Sequence, residues 1–144
     1  MLRVTVIDDD PLQAEIMRRL FRTHDDLETT IYEQAEEAID ALRATKRERL
    51  PHLILLDLRM PGLDGHAVQR VLAGDDHLRP IPVVVLSGST LESDSGRSYE
   101  LGAAAYLPKP DELGELRELL GDLIGLWRRV LPPPGGAPAP SIVA

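Results

Sequence analysis

Four short stretches of the sequence carry side chains that could do chemistry together. Asp8–Asp10 follow the apolar run LRVTVI, Asp57 closes the run HLILL, Ser87 and Gly88 close PVVVL, and Lys109 follows AAAYLP. Carboxylate oxygens are ligands that Mg²⁺ prefers, while ammonium, hydroxyl and amide groups neutralise phosphoryl oxygens. A carboxylate can also attack phosphorus and form an aspartyl phosphate. The residue types therefore indicate a site for one hard cation and one small anion.

Each stretch has an ordinary structural explanation when it is taken alone. Acidic residues after a strand commonly cap the next helix, Ser-Gly is turn chemistry, and a single lysine is usually a surface residue. Asp57 is harder to explain in this way, because a strand buried on both faces seldom ends in a charge without a partner. Since all four stretches follow strand-like runs, a shared site is the better explanation.

The composition excludes several classes of function. The 144 residues include no cysteine, which rules out disulfides, a cysteine zinc cluster and a thiol nucleophile. A net charge of -8 argues against direct nucleic-acid binding, since phosphate backbones require a basic face. No apolar run approaches a membrane span, and MLRVTVIDDD lacks the features of a signal peptide. We therefore expect a cytoplasmic protein without membrane association.

Short apolar runs alternate with helix-like stretches. The predicted strands are residues 2–7, 27–32, 52–57, 82–87 and 103–107. The predicted helices are residues 11–22, 34–48, 64–74, 91–103 and 111–131. The runs at 52–57 and 82–87 are almost continuously hydrophobic, as expected for strands that are covered on both faces. The alternation predicts an α/β fold, a doubly wound five-stranded parallel sheet with helices on both faces.

Two regions are expected along the chain. Residues 1–131 are long enough for one domain with a core. Residues 132–144, PPPGGAPAPSIVA, are expected to be a flexible tail without packed structure, and no output domain is expected after it.

In open parallel sheets, ligands bind beyond the carboxyl ends of the strands, where the candidate residues lie.

The sequence resembles the receiver domain of two-component response regulators. The motifs that carry the resemblance are VIDDD, LILLDLRMPGLDG, VVVLSGS and YLPKP, in this order, and it covers about residues 1–131. The family fold is flavodoxin-like, with the strand order 2-1-3-4-5. The resemblance implies a signalling switch that accepts a phosphoryl group from a phosphohistidine on a sensor histidine kinase.

The resemblance also assigns roles to individual residues. Asp57 would be the phosphoacceptor, and Lys109 would pair with the phosphoryl oxygens. Asp9 would bind Mg²⁺ directly and Asp8 through water, with further ligands from Asp57 and the backbone carbonyl of Arg59. Apart from this set, Asp10 is expected to cap the first helix or to lie in the outer shell.

Further assignments concern switching and backbone geometry. Ser87 would hydrogen-bond the phosphoryl group and move toward it, Gly88 would add its amide, and Tyr106 would swing inward as Ser87 moves. The switched surface would be the face formed by helix 4, strand 5 and helix 5. The Lys109–Pro110 bond resembles one that is cis in this family, and X–Pro bonds are where cis is least costly.

The last predicted helix has a wide apolar surface. Its leucines repeat at alternating spacings of three and four, a heptad period, and the sole tryptophan lies among them. This surface predicts a homodimer contact that includes Leu119, Leu126, Trp127 and Val130. The alternative is a helix with a generous buried face. The sequence SYELGAAAYLPKP and the LWRRVLPPP ending also resemble single-domain regulators of bacterial phytochrome kinases.

Other functions remain as alternatives at this point. A phosphotransferase or phosphatase acting on small molecules needs a lid, and no insertion is long enough for one. A flavodoxin-like cofactor binder needs phosphate loops and stacking aromatics instead of an acidic cluster. The chain could also be a constitutive interaction module, or a receiver excised from a larger regulator. The leading expectation is a response regulator that is no enzyme beyond its own phosphorylation and dephosphorylation.

Overall fold

A parallel sheet in the order β2-β1-β3-β4-β5 forms the centre of the fold. The computed structural model describes residues 1–57, 65–88 and 92–140. Its strands are β1 (Leu2–Ile7), β2 (Leu27–Tyr32), β3 (Leu53–Leu56), β4 (Val83–Ser87) and β5 (Ala105–Pro108). Its helices are α1 (Pro11–Phe21), α2 (Ala35–Arg43), α3 (Gly65–Gly74), α4 (Glu92–Glu100) and α5 (Leu113–Trp127), with a 3₁₀ turn at Arg47–Arg49. The predicted fold class and strand order are confirmed.

The two central strands are buried on both faces. All four residues of β3 and all five of β4 are buried, which explains why their sequences lack the alternation of a half-exposed strand. The edge strand β2 does alternate between half-buried and exposed residues over most of its length. The continuous apolar runs therefore identified the centre of the sheet correctly.

Helices cover the sheet on both faces and form two apolar cores. One core joins α1 and α5 to the residues of β1, β3 and β4 that point to one side, and Leu120 and Ile124 are at its centre. The other core joins α2 and α3 to the opposite side of the same strands, around Ile54 and Leu72. Each strand thus contributes alternate residues to the two cores.

The helices differ in how strongly they are anchored. Helix α1 begins at Pro11, and the Asp10 carboxylate accepts a hydrogen bond from the backbone N–H of Leu12 at 3.0 Å. In α4, whose sequence is ESDSGRSYE, Ser98 is the one buried residue. A helix with so little buried apolar surface has little free energy holding it in place.

The carboxyl-terminal segment is packed, contrary to the expectation of a flexible tail. We call residues 132–140 the C-terminal strap, because they cross the amino-terminal ends of β3 and β4. Ala137 is 5% exposed and belongs to one core, and the Gly136 carbonyl accepts a hydrogen bond from Arg47 Nε at 3.1 Å. Proline fixes φ, so the strap loses little conformational entropy when it becomes ordered, and Gly135 supplies a left-handed turn with φ of 82°. The domain boundary at residue 131 stays a prediction.

Candidate functional site

Strand pairing brings the two acidic stretches together. Ile7 pairs with Leu56 in the register of β1 and β3, so that Asp8 and Asp57 leave adjacent strand ends. The backbone N–H of Asp57 donates to the carbonyl of Ile7 at 3.1 Å, which extends the pairing to the site. The geometry of the parallel sheet therefore places both carboxylates at its carboxyl-terminal edge.

The next two strands deliver the hydroxyl and the ammonium in the same way. Ser87 ends β4 opposite Pro108 of β5, and the backbone N–H of Lys109 donates to the Ser87 carbonyl at 2.8 Å. This bond couples the backbone that carries the hydroxyl to the backbone that carries the ammonium. Four successive strand ends in space thus carry Asp8, Asp57, Ser87 and Lys109, as the sequence predicted.

The Lys109 ammonium lies between the two carboxylates. Its Nζ is 3.3 Å from Oδ2 of Asp8 and 3.8 Å from Oδ2 of Asp57. The side chains of these residues are 14%, 2% and 18% exposed for Lys109, Asp8 and Asp57, respectively. Asp8 is thus a buried carboxylate that requires a cation, and Lys109 provides one. This contact was not predicted from the sequence, where the family resemblance pairs Lys109 with a phosphoryl group.

Burial, with a contribution from like charges, makes ionisation of the acidic edge unfavourable. Burial raises the pKa of Asp8, and the neighbouring Asp57 carboxylate adds to the rise, against the opposing effects of the Asp10 N–H and the Lys109 ammonium. Burial also raises the pKa of Asp9, followed by the negative charges of Asp8, Asp57 and Asp10. An added cation is therefore favoured at this edge.

Asp10 performs the capping role expected of the third acid. It caps α1 through its carboxylate, and its backbone N–H donates to Oδ1 of Asp8 at 3.0 Å. Asp10 itself is exposed. The three consecutive acids thus separate into one buried carboxylate, one partly exposed carboxylate and one helix cap.

The predicted switch residues lie on β4 and β5. Ser87 is fully buried, whereas Gly88 is exposed, and a methyl group added at Gly88 would meet no atom within 4 Å. Tyr106 lies opposite Val85 in the sheet, and Val85 stands two residues before Ser87 on β4. The Tyr106 side chain is half-buried against one core. Its backbone N–H donates to the Tyr99 hydroxyl of α4 at 3.0 Å, a link between β5 and α4 that the sequence analysis missed.

Two expectations on the backbone have different outcomes. The carbonyl of Arg59 falls outside the residues that the structure describes. The expectation of a cis Lys109–Pro110 bond is wrong, since the described chain contains no cis peptide bond. Trans is the preferred form even before proline, by about 0.5–1 kcal/mol.

The predicted dimer surface needs correction at Trp127. Its side chain is 8% exposed and part of the core, and its indole N–H donates to the His52 carbonyl at 2.9 Å. Leu119 and Val130 are partly buried against the same core, while Leu126 is 57% exposed. Most of the apolar surface of the last helix is therefore used within the chain, because the C-terminal half of α5 must cover the ends of β1 and β3.

The donor set at the acidic edge suits a hard divalent cation. Asp8, Asp9 and Asp57 offer only oxygen ligands, and the pKa of each of the first two is raised, above all by burial and to a smaller extent by neighbouring carboxylates. No group of three or more acidic or histidine side chains in the described part of the chain is arranged as a formed metal site. The side chains are of the right kind, and Lys109 holds two of the three carboxylates as an internal counterion.

The comparison with known families identifies the class of protein. Residues 4–121 match the family described as the response regulator receiver domain. The chain belongs to this family, and it is a response regulator receiver domain of two-component signalling.

Two relatives show how the match is distributed. The chain is 38% identical over 92 residues to the probable methanogenesis regulatory protein FilR2 of Methanothrix harundinacea, covering 62% of this chain and 59% of that protein. It is 30% identical over 122 residues to the polar-differentiation response regulator DivK of Brucella anthropi, covering 85% of this chain and 95% of DivK. The chain thus spans little more than half of FilR2 and nearly all of DivK.

Solved structures agree with the fold and include phytochrome regulators. The Mn²⁺-bound form of response regulator Rcp1 aligns with a TM-score of 0.81 at 29% identity, covering 92% of this chain and 99% of Rcp1. The phosphorylated cyanobacterial phytochrome response regulator RcpA aligns with a TM-score of 0.79 at 28% identity, covering 88% of this chain and 93% of RcpA.

Over residues 1–57, 65–88 and 92–140, no helix has the length and apolar character needed to cross a membrane.

Proposed function

We propose that Asp57 accepts a phosphoryl group and that the chain works as a phosphorylation switch. The observation that carries this proposal is the arrangement at the sheet edge: Asp57 lies 3.8 Å from the Lys109 ammonium, which also contacts Asp8. An in-line attack by the Asp57 carboxylate on phosphorus transfers the phosphoryl group and releases the donor group. The ammonium and the Ser87 hydroxyl then neutralise and hydrogen-bond the new phosphoryl oxygens.

The proposed cofactor is Mg²⁺ held by Asp8, Asp9 and Asp57, with the Arg59 carbonyl as a further ligand. Mg²⁺ neutralises phosphoryl oxygens as charge develops on them. The all-oxygen donor set supports this proposal. So does the structure of the similar response regulator Rcp1, which is that of its Mn²⁺-bound form. A metal held by these carboxylates would take over part of the counterion role of Lys109, whose ammonium already lies 3.8 Å from the Asp57 carboxylate.

The proposed partner is a sensor histidine kinase that supplies phosphoryl from phosphohistidine. A phytochrome kinase is our first choice, because RcpA and Rcp1 align over most of their own length. We place the switched surface on α4, β5 and α5, where the weakly anchored α4 meets β5 through the hydrogen bond from Tyr106 to Tyr99. The chain would act on its target through this surface, either by protein contact or by phosphate relay. A cytoplasmic location and the absence of enzymatic activity on other substrates belong to the same proposal.

A homodimer through the last helix is a further part of the proposal, now restricted to exposed residues. Leu126 is the exposed member of the predicted contact. We expect Leu126→Arg to lower the mass measured by sedimentation equilibrium, with Leu131→Arg, at an 81% exposed position beyond α5, as the matched control. Equal masses for wild type and Leu126→Arg would remove the helix contact from the proposal.

The phosphorylation proposal is tested by intact mass after incubation with Mg²⁺ and acetyl phosphate. The wild type should gain one phosphoryl group only when Mg²⁺ is present, and Asp57→Asn should gain none. Asp76→Asn is the matched control, since its side chain is 90% exposed and away from the site. No gain in the wild type favours the constitutive interaction module, and a gain that persists in Asp57→Asn shows that another aspartate is the acceptor.

A further inference from the structure

The C-terminal strap is attached through a buried histidine at which three elements meet. His52 is 7% exposed, and its backbone N–H donates to the Arg3 carbonyl of β1 at 2.8 Å. Its carbonyl accepts from the indole of Trp127 in α5, and its ring contacts the backbone of Arg3 and Pro138. His52 therefore joins β1, α5 and the strap immediately before β3 begins.

The hydrogen bonds of the ring require it to be neutral. The backbone N–H of Arg3 points at Nδ1 from 2.9 Å, so Nδ1 must be an unprotonated acceptor. The proton then resides on Nε2, which donates to the Pro138 carbonyl at 2.8 Å. A second proton would remove the acceptor at Nδ1 and set two N–H groups against each other. The Pro138 contact holds the ring in this orientation, so a protonated ring can turn its Nδ1–H away from the Arg3 N–H only when the strap lets go of Nε2.

The charges around His52 also disfavour an imidazolium. Two positive charges lie near the ring. One is the guanidinium of Arg3 in β1, which donates to the carbonyls of Leu50 and Glu48, and the other is the amino terminus. The 3₁₀ turn contributes Arg47, which holds Gly136 of the strap. The surfaces that face the ring from α5 and from the segment before β4 carry Trp127 and Pro80–Pro82, none of which titrates.

We propose that the strap is a pH-dependent latch, closed while His52 is a neutral imidazole and opened when His52 takes up a proton. Opening hydrates the ring and frees it to turn away from the Arg3 N–H, so a proton binds more strongly to the open form than to the closed form. Burial and the charge of Arg3 lower the pKa of His52 in the closed form, which likewise favours a neutral ring while the strap is closed. The latch lies at the amino-terminal end of β3 and β4, opposite the phosphoryl site.

The size of the effect follows from linkage. A hydrated histidine has a pKa of about 6.5, and the closed form has a lower pKa. As the pH decreases between these two values, the ratio of closed to open strap falls by up to tenfold for each unit of pH. Above pH 7 the ratio is independent of pH as far as His52 is concerned. The latch therefore responds to mild acidification and not to alkaline pH.

The test is an NMR titration of the full chain from pH 7.5 to 5. The ring nitrogens of His52 report its tautomer and protonation, and the backbone heteronuclear NOE of Gly136 and Ala137 reports strap order. The amides of Leu55 and Val84, buried in the core, report whether the domain remains folded. We expect the Nε2-protonated tautomer at pH 7.5, and loss of strap order that follows protonation of His52 while the core amides remain unchanged.

Variants separate the latch from a general effect of acid. In His52→Gln the side-chain amide can still donate to Pro138 but does not titrate, so the strap should remain ordered at pH 5. His77→Gln is the matched control, because His77 Nε2 also lies 2.7 Å from a backbone carbonyl, that of Thr45, and this variant should keep the wild-type response.

Three results would overturn the proposal. One is a strap that stays ordered through the titration of wild-type His52. Another is loss of order at the same pH in His52→Gln as in the wild type. The last is loss of the core amides together with the strap, which would make acid unfolding the cause. If His52→Gln fails to fold, the coincidence of strap opening with His52 protonation in the wild type still decides.

Discussion

Replacing Asp9 by asparagine should stabilise the metal-free protein and weaken its response to Mg²⁺. The carboxylate of Asp9 has a pKa raised by burial and by Asp8, Asp57 and Asp10, so its charge opposes folding at neutral pH. Two like charges 5–7 Å apart in a medium close to water repel by roughly 0.6–0.8 kcal/mol. Because Lys109 offsets part of the surrounding charge, we expect a gain of about 0.5–1 kcal/mol in the free energy of unfolding at pH 7.

The pH dependence of this gain has a definite sign. Since the pKa of Asp9 is raised in the folded state, the fold binds a proton more readily than the unfolded chain does. The unfavourable term is absent below the unfolded pKa of about 3.9 and develops as pH rises through the folded value. The stability difference between Asp9→Asn and the wild type should therefore grow from acid toward neutral pH.

Mg²⁺ should reverse the order of stability. A metal at 100 times its dissociation constant stabilises the fold by about 2.7 kcal/mol, and a site weakened 100-fold retains only about 0.4 kcal/mol at the same concentration. The wild type should then be the more stable protein. The assay is urea unfolding followed by the fluorescence of Trp127, with and without Mg²⁺.

Asp10→Asn is the matched control for Asp9→Asn. It removes an adjacent acidic charge, yet asparagine caps a helix as well as aspartate does, so the cap on α1 is kept. Its stability should stay within about 0.5 kcal/mol of the wild type, and its response to Mg²⁺ should remain. Our account of the acidic edge would be refuted if Asp9→Asn were less stable than the wild type without metal, or if it kept the full Mg²⁺ stabilisation.

Three further substitutions test packing away from the site, each by urea unfolding. Ser98→Ala should stabilise the protein by about 1 kcal/mol, because the buried Ser98 hydroxyl has no hydrogen-bond partner among the residues that the structure describes; a loss of stability would show that the hydroxyl is satisfied. Arg128→Ala should cost about 0.5–1 kcal/mol by removing the paired bonds of 2.6 and 2.7 Å to Asp26. Since Arg128 lowers the pKa of Asp26, this cost should be present above pH 4 and vanish in acid, and an unchanged cost at pH 2 would contradict it. Ala137→Asp should destabilise the protein by about 2–4 kcal/mol by burying a charge, whereas Ala139→Asp, at an exposed strap position, should be neutral, and equal effects would mean that the strap is not packed.

The sequence predicted the sheet and the position of the site because both depend on local patterns. The runs that became β3 and β4 are apolar without interruption, and a run of this kind has few alternatives to a strand covered on both faces. Once the strands are parallel, the residues after them must share one edge, so the meeting of Asp8 with Asp57 follows from the order of elements.

The fate of Trp127 and the strap could not be predicted in this way. A tryptophan on a wide apolar helix surface packs inward or outward according to whether its N–H finds an acceptor, and the acceptor is the carbonyl of His52, 75 residues earlier in the chain. The strap is rich in proline, and composition alone treats such segments as disordered. Its order instead depends on distant partners, Arg47 and His52, that no local pattern reveals.

The bridge from Lys109 to the two carboxylates gives the proposed switch an order of events. While the ammonium occupies this place, it balances part of the negative charge of the acidic edge. A monovalent ion that replaced the lysine would bring no additional charge, whereas a divalent ion doubles it. The lysine therefore acts as a resident competitor that sets a threshold of charge for entry. If a divalent ion took over this role, the ammonium would be free to meet a phosphoryl group on Asp57, so the proposed switch would need its metal before it could be phosphorylated.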